Sequence, residues 1–277
     1  MGMVTGQNLH THSTLCDGKS TMREQVESAI SHGLESLGFS SHAWTGFSFD
    51  ECGIAKEDID VYLEEIDRLQ EEFSGKIRLY KAFEYESRDI YGMNPEIDAR
   101  LDYSIGSVHF FWLSGKAMAI DNTVTEFLGA LEAYGSQKKA MESYFEEVVR
   151  FASVSDYTIT GHFDLVTKFI EKADLSFYKE DWYGKLALEA LDAVIDKGKI
   201  FEVNTGAIGR GHRTSPYPAP FLLSRLIERR VPLILTSDCH WAPAITCYFE
   251  EAEEMVRSLG GKELYAFDGK GFKAYSL

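Results

Sequence analysis

Short apolar runs alternate with amphipathic stretches along most of this chain. Leu9, Leu37-Gly38-Phe39, Ile77 to Phe83, Tyr103 to Val108, Tyr157 to Gly161, Ile200 to Val203 and Leu233 to Leu235 read as strands buried on both faces. Between them the period changes to that of a helix. From Glu57 to Phe73, the residues Ile59, Tyr62, Leu63, Ile66, Leu69 and Phe73 form a single stripe. Ser20 is placed to cap a helix over Thr21 to Ile30, with Gly33 as its stop. Leu186 to Lys197 ends at Gly198, and Ala219 to Arg230 follows Pro216 and Pro218. Repetition of this kind predicts an α/β fold, a mostly parallel sheet with helices outside, either open or closed as a barrel. No linker, charge block or internal repeat divides it. Residues 1–277 are therefore expected to form one domain, with a mainly helical excursion at about 115–152.

Composition narrows the possible partners. A chain of 277 residues with 44% hydrophobic and 13% aromatic content supports one large core. Its net charge of −16 opposes binding to nucleic acid or anionic membranes, whose phosphates attract Lys and Arg. The same acidity suits a pocket holding several dications, which would reverse the local sign for an anionic substrate. Cys16, Cys52, Cys239 and Cys247 include no C-x-x-C pair and read as reduced thiols. Met1 to Gln7 lacks the apolar run of a signal peptide, and no stretch approaches a membrane span. A soluble, cytoplasmic protein is expected.

The histidines concentrate where the predicted strands end. His10 and His12 lie two apart, so on an extended segment both reach one point. His42 follows the Leu37 strand, Glu84 ends the Ile77 strand, His109 ends the Tyr103 strand and His162 the Tyr157 strand. Asp238 and His240 close the Leu233 strand, and His212 lies in a loop beyond Asn204. A lone strand-terminal histidine is ordinarily satisfied by a carbonyl. A donor at the end of strand after strand instead points to joint ligation, because the carboxyl ends of parallel strands gather on one rim. Several acids favour more than one ion, and Glu84 has two oxygens with which to bridge. Asp17, close behind the H-x-H, has a stronger claim to ligation than Asp164; either is also a helix-capping residue type. Glu86 is expected farther along the rim, as a supporting or solvated acid. His32, at a helix end before Gly33, reads as structural.

Taken together, His10-x-His12 with Asp17-Gly18, Ser41-His42, Glu84, His109, Gly161-His162-x-Asp164 and Ser237-Asp238-x-His240 resembles the polymerase-and-histidinol-phosphatase family of metal-dependent phosphoesterases. The resemblance runs from about residue 8 to 260. Phe201-Glu202-Val203-Asn204-Thr205-Gly206, Arg210-Gly211 and Tyr217-Pro218-Ala219-Pro220 look most like the monofunctional histidinol-phosphatase branch. It implies a distorted seven-stranded (β/α)7 TIM-like barrel with the metal site at the C-terminal ends of the strands. It further implies two to three divalent ions (zinc, iron or manganese). One is held by His10, His12, Glu84 and Asp238, a second by Glu84, His109 and His162, and a third by Asp17, His42 and His240. Asp17 stands where other branches carry histidine.

The activity so implied is hydrolysis of a small-molecule phosphomonoester, L-histidinol phosphate, with catalysis resting on Glu84, Asp238 and His240. Arg210 is expected to make a fork-like phosphate contact supported by Lys168, with Arg213 and Arg88 as further cations and His212 near the leaving group. Rival readings are a phosphoesterase for nucleic-acid or nucleotide ends, a protein-tyrosine phosphatase on the same scaffold, and a non-catalytic metal-binding module. The first wants a basic groove, for which no Lys/Arg stripe is present.

Overall fold

The computed structural model describes residues 3–89 and 93–277. It runs through β1 (Gln7–Asn8), α1 (Met22–Ser31), β2 (Ser36–Phe39), α2 (Ile59–Glu72), β3 (Arg78–Lys81), β4 (Glu84–Glu86) and the single turn α3 (Pro95–Asp98). Next come β5 (Ile105–Ser107), β6 (Phe110–Leu113), β7 (Lys116–Ala119), α4 (Val124–Ala133), α5 (Gln137–Val154), β8 (Ile159–Thr160) and α6 (Asp181–Ile195). The chain ends with β9 (Ile200–Asn204), α7 (Gly206–Gly209), α8 (Pro220–Glu228), β10 (Leu233–Thr236), α9 (Phe249–Ser258), β11 (Glu263–Phe267) and β12 (Phe272–Ser276).

Every apolar run singled out above is at or beside a parallel strand, and the fold is α/β. Among the described residues the parallel strands fall into two sheets, β1-β2-β3 and β10-β9-β8-β5-β4, while β6-β7 and β11-β12 are separate antiparallel pairs. The closed seven-stranded barrel is not what these ladders form. Between the two sheets, isolated bridges pair Thr11 with Cys239 and His42 with Glu84, where closure requires continuous ladders. Strand length is the reason at one seam: β1 has only 2 residues, and its side meets the β10 side through the single Thr11–Cys239 bridge. In addition β3 is separated from β4 at Ala82 and Phe83.

Burial on both faces explains why these strands read as unbroken apolar runs. Along β9 and β10, Phe201, Val203, Leu233 and Leu235 face the layer under the helices, with Leu222, Leu226 and Val256 in the same cluster. Ile234 and Ile200 face the other way, into a second cluster with Leu9, Tyr80, Tyr103, Ile105 and Ile159. Phe267 of β11 joins that inner cluster, held by the Gln7 amide and the Tyr80 hydroxyl, both of which donate to its carbonyl. Gly38 is required here: a Cβ on it would lie 1.9 Å from the Tyr103 hydroxyl.

Two local expectations change. α1 is capped by Thr21 rather than Ser20, in a reciprocal box in which Thr21 Oγ1 accepts from Glu24 N–H and the Glu24 carboxylate accepts from Thr21 N–H. The Ser20 hydroxyl accepts instead from Ala242 N–H, tying α1's entry to the segment after β10. The excursion at 115–152 opens with a strand, because β6 and β7 form an antiparallel hairpin. Its turn residues Ser114 and Gly115 have φ of 50° and 79°, as a two-residue type I′ turn demands. Among the described residues, no helix is long and apolar enough to cross a membrane.

Candidate metal centre

The segment after β1 is clamped from both sides by main chain. Ser40 N–H donates to Thr11 O at 3.0 Å, while Cys239 N–H donates to His10 O at 3.1 Å and His12 N–H to Cys239 O at 2.9 Å. Thr11 therefore points away toward Gly38, to whose carbonyl its hydroxyl donates, and both flanking imidazoles point inward. Gly18 closes the following turn so tightly that a Cβ would meet Ser13 N at 2.6 Å. Across the gap, Ala43 N–H donates to Glu84 O and Glu84 N–H to Ser41 O, setting His42 beside Glu84. The Tyr62 hydroxyl of α2 braces this corner, donating to Ala82 O and accepting from Ser41 N–H.

The donors converge as the strand-end argument requires. His10 Nε2 lies 3.3 Å from Glu84 Oε2 and 3.6 Å from Asp238 Oδ1. His12 Nε2 lies 3.5 Å and 3.2 Å from the same two oxygens. His162 Nε2 and His109 Nε2 approach the other Glu84 oxygen at 2.9 Å and 3.5 Å, and His42 Nδ1 approaches Oε2 at 3.1 Å. Asp17 Oδ2 gathers His240 Nε2 at 3.2 Å and His42 Nε2 at 3.7 Å. Among the described residues, four overlapping groups have donor atoms all within 4.8 Å: His12, Asp17, His42 and His240; His10, Glu84 and His162; His10, His12 and Asp238; His42, Glu84 and His109. All nine residues expected as ligands are among them. The Asp17 group is the outer one, with Asp17 28% exposed, whereas His10 and His12 are fully buried.

The donor set fits divalent cations. His10 Nε2, His12 Nε2, Asp17 Oδ1 and Glu84 Oε2 are buried without a hydrogen-bond partner, and they face one another. Imidazole nitrogen with carboxylate oxygen is the mix that zinc, iron and manganese accept. Electrostatics agree. Burial pushes the Glu84 carboxyl up, but His10, His42 and His109 outweigh it and hold the group well below the carboxylate range. Burial likewise opposes ionisation of Asp238, and Arg210 and His10 reverse it. His12 is pushed down to about 3 by burial and by the neighbouring His240 and His42. For His109, burial is overcome by Glu84 and Glu86, which push it up to about 10.

Around these donors lies a set of supporting contacts. The Ser107 hydroxyl donates to Glu84 Oε1 at 2.5 Å. Glu86 is neither solvated nor remote from the donors: it is buried and accepts from both His109 N–H and His109 Nδ1, at 2.9 and 3.0 Å. Glu202, absent from the expected site, lies 2.8 Å from His10 Nδ1. Its signal was available, since a charged residue inside an apolar strand run is rarely buried unless paired. Asp238 has φ of 47°, a conformation that Asp tolerates better than most residues. Arg210 grips that turn, donating to Asp238 O at 2.7 Å and to Oδ2 at 2.8 Å. Asp164 belongs elsewhere, accepting from Ala219 N–H and facing Arg213 at 3.6 Å.

Seven of the nine donors, all but the fully buried His10 and His12, floor a cavity of about 970 Å³. Its outer wall carries Phe49, Phe110, Asp121, Glu126 and Lys168. Of the five expected substrate contacts, Arg210 and Lys168 reach this cavity. Arg210 does so with its fork already on Asp238, and Lys168 with its ammonium on the Asp121 carbonyl at 2.8 Å. The other three do not line it. Arg213 is buried over the Tyr217 ring and donates to Thr167. Arg88 pairs with Glu147 at 2.7 Å and stacks on Trp112, beside a separate cavity. His212 packs edge-on against Phe169, and burial with Lys168 and Lys172 pushes it down to about 4. Lys19, which was not among the expected contacts, lines the cavity beside Asp17.

Comparison with known proteins agrees with this architecture. The histidinol-phosphatase of Bacillus subtilis (strain 168) is 27% identical over 258 residues, covering 87% of this chain and 96% of that protein. The histidinol-phosphatase of Lactococcus lactis subsp. lactis is 27% identical over 266 residues, covering 95% and 93%. A HisK crystal structure from Listeria monocytogenes superposes with a TM-score of 0.80 at 19% identity, over 88% of this chain and 99% of that one. The Lactococcus lactis histidinol phosphate phosphatase, crystallised with zinc, L-histidinol and phosphate, gives 0.70 at 23% identity over 97% and 99%. These two structures establish a shared fold. Residues 8–206 match the PHP domain family, and with that match over most of its length the chain belongs to it.

Proposed function

We propose that this protein is a metal-dependent phosphomonoester hydrolase that converts L-histidinol phosphate and water to L-histidinol and phosphate. The observation that carries the reading is the convergence of His10, His12, Asp17, His42, Glu84, His109, His162, Asp238 and His240, with buried donor atoms left unpaired toward one another. Relatives named histidinol-phosphatase, matching over most of their length, support the substrate.

In this reading His10, His12, Glu84 and Asp238 hold one ion, Glu84, His109 and His162 a second, and Asp17, His42 and His240 a third, each zinc, iron or manganese. Bound there, such ions supply Lewis acidity, activating water for attack and neutralising charge on the phosphoryl group. The chain's own residues supply geometry. Glu84 links two of the three groups, and Ser107 keeps its Oε1 from rotating away. Arg210 holds Asp238 in its turned conformation and adds a positive charge beside the phosphate position. Lys168, anchored to the wall by Asp121, presents an ammonium to the phosphate. The aromatic and acidic wall of Phe49, Phe110 and Glu126 suits the ring and ammonium group of histidinol.

A substrate panel tests this. Purified protein supplied with manganese or zinc is expected to release phosphate from histidinol phosphate far faster than from phosphotyrosine or oligonucleotide ends. Equal or slower release from histidinol phosphate overturns the assignment.

A further inference from the structure

Glu202 stands on β9 between Phe201 and Val203, which face the outer core, so its own side chain points inward beneath the metal centre. It is 1% exposed, and both of its oxygens are fully used. Oε1 accepts from His162 N–H at 2.6 Å and from Asn204 Nδ2 at 2.8 Å. Oε2 is 2.8 Å from His10 Nδ1 and accepts from the Thr236 hydroxyl at 2.8 Å. The Asn204 amide has a fixed orientation, because its Oδ1 accepts from Gly206 N–H. Four donors thus meet one carboxylate, two on each oxygen, leaving it no free lone pair for a cation.

We infer that Glu202 is a positioning residue for the metal centre: it fixes His10 as the tautomer protonated on Nδ1, so that the Nε2 lone pair is delivered to the ion. This rests on the reading of His10 as a ligand given above. The geometry makes Nδ1 the donor, since a carboxylate without a proton only accepts and the atom facing it must carry a proton; a cation can then be bound only through Nε2. His10 Nε2 correspondingly has no hydrogen-bond partner and faces Glu84 and Asp238. Because Glu202 also holds the backbone of His162, it links a ligand after β1 to one after β8. A partner of this kind behind a metal-bound histidine raises the basicity of the ring and fixes its orientation.

Glu202→Gln distinguishes positioning from mere packing. The amide keeps the volume, but one end now donates. With its oxygen toward the immovable His162 N–H, its NH2 faces His10 and drives the His10 proton onto Nε2. The full-length variant is expected to bind zinc about 10- to 100-fold more weakly at one position, measured by competition with a chromophoric chelator. At saturating zinc its KM is expected to stay at the wild-type value. Thr236→Val removes a donor from the same oxygen without altering the tautomer, and is expected to keep wild-type zinc affinity. Nitrogen-15 NMR of histidine-labelled, zinc-loaded wild-type protein is expected to find His10 protonated at Nδ1, a readout that stands even if the Gln variant fails to fold. Wild-type zinc affinity in Glu202→Gln, equal weakening in Thr236→Val, or a proton on His10 Nε2 overturns the role of Glu202. Failure of the wild-type chain to take up any metal overturns the metal-centre reading itself, and this inference with it.

Discussion

The floor and the outer wall of the cleft both bring acids and rings to the same cavity, yet they are held in different ways. On the floor, His10, His109 and Glu84 are each fixed twice: by a strand or bridge at or next to the residue, and by a neighbour that constrains its side chain. His10 has the Cys239 bridge and Glu202, His109 has β5 and Glu86, and Glu84 has β4 and Ser107. On the wall, Phe49 comes from a loop and is 49% exposed, stacked on Phe47 at 5.1 Å. Lys168 follows a single 3-10 turn and is tied down through Asp121, itself between β7 and α4. Buried carboxylates demand partners, so their number on the floor enforces rigidity. Rings and solvated charges on loops make no such demand. Chemistry and metal retention should therefore depend on the floor, and substrate affinity on the wall.

The largest effect belongs to Glu84. Glu84→Gln is expected to abolish turnover and to lower bound metal measured by elemental analysis, because it weakens a shared donor in two groups. Retained activity would dissolve the distinction between floor and wall at its centre. Next comes proton-coupled metal uptake. In the metal-free protein His109 is pushed up to about 10 and so carries a proton at neutral pH, whereas His12, pushed down to about 3, is already neutral. Loading must displace the His109 proton. Affinity is then expected to strengthen as pH rises from about 6 to 8, by about tenfold per pH unit for each proton released. Calorimetry in buffers of different ionisation enthalpy counts the protons, and a count of zero contradicts the charge state given to His109.

Much of the floor was legible in the sequence because parallel strands leave a simple trace. They are apolar on both faces, and whatever follows them lies on one rim, so histidines at strand ends could be grouped without coordinates. What escaped was set by long-range pairing. Arg88 is held by Glu147 and Arg213 by Thr167 and Asp164, contacts that no local pattern encodes. For that reason the structure brings neither of them to the cavity that the donors line. The wall escaped because 44–53 has no period and because the β6–β7 hairpin is too short to show alternation. Barrel closure could not be judged from apolar runs either, because interruptions such as Ala82-Phe83 look apolar and continuous in sequence.

Arg210 sharpens the comparison, since it lines the cavity while gripping a floor residue. If it served only as a phosphate contact, Arg210→Ala would raise KM alone. Because it holds the Asp238 turn, the expected result is a fall in kcat and metal affinity of about 10- to 100-fold, the usual cost of losing a ligand's support. A pure KM effect would return Arg210 to the wall. Lys168→Ala is a wall change: KM is expected to rise about tenfold, the lower range for one charge-assisted hydrogen bond, with metal content unchanged.

Phe49→Ala should have the smallest effect and tests the wall most directly. The ring touches Phe47 and stands edge-on to Phe110 at 5.5 Å, so truncation exposes little core and the fold should persist. What is lost is one aromatic face for the ring or ammonium of the substrate, about 0.5–1.5 kcal/mol, or roughly a 2- to 10-fold rise in KM. Since such a contact is equally available to bound substrate and transition state, kcat should not move. Steady-state kinetics with histidinol phosphate reads both constants, and a simple phosphomonoester lacking the ring provides the contrast, for which Phe49→Ala should change nothing. If kcat falls instead, the loop takes part in ordering the reacting groups, and the wall is as much a part of the chemical apparatus as the strand ends beneath it.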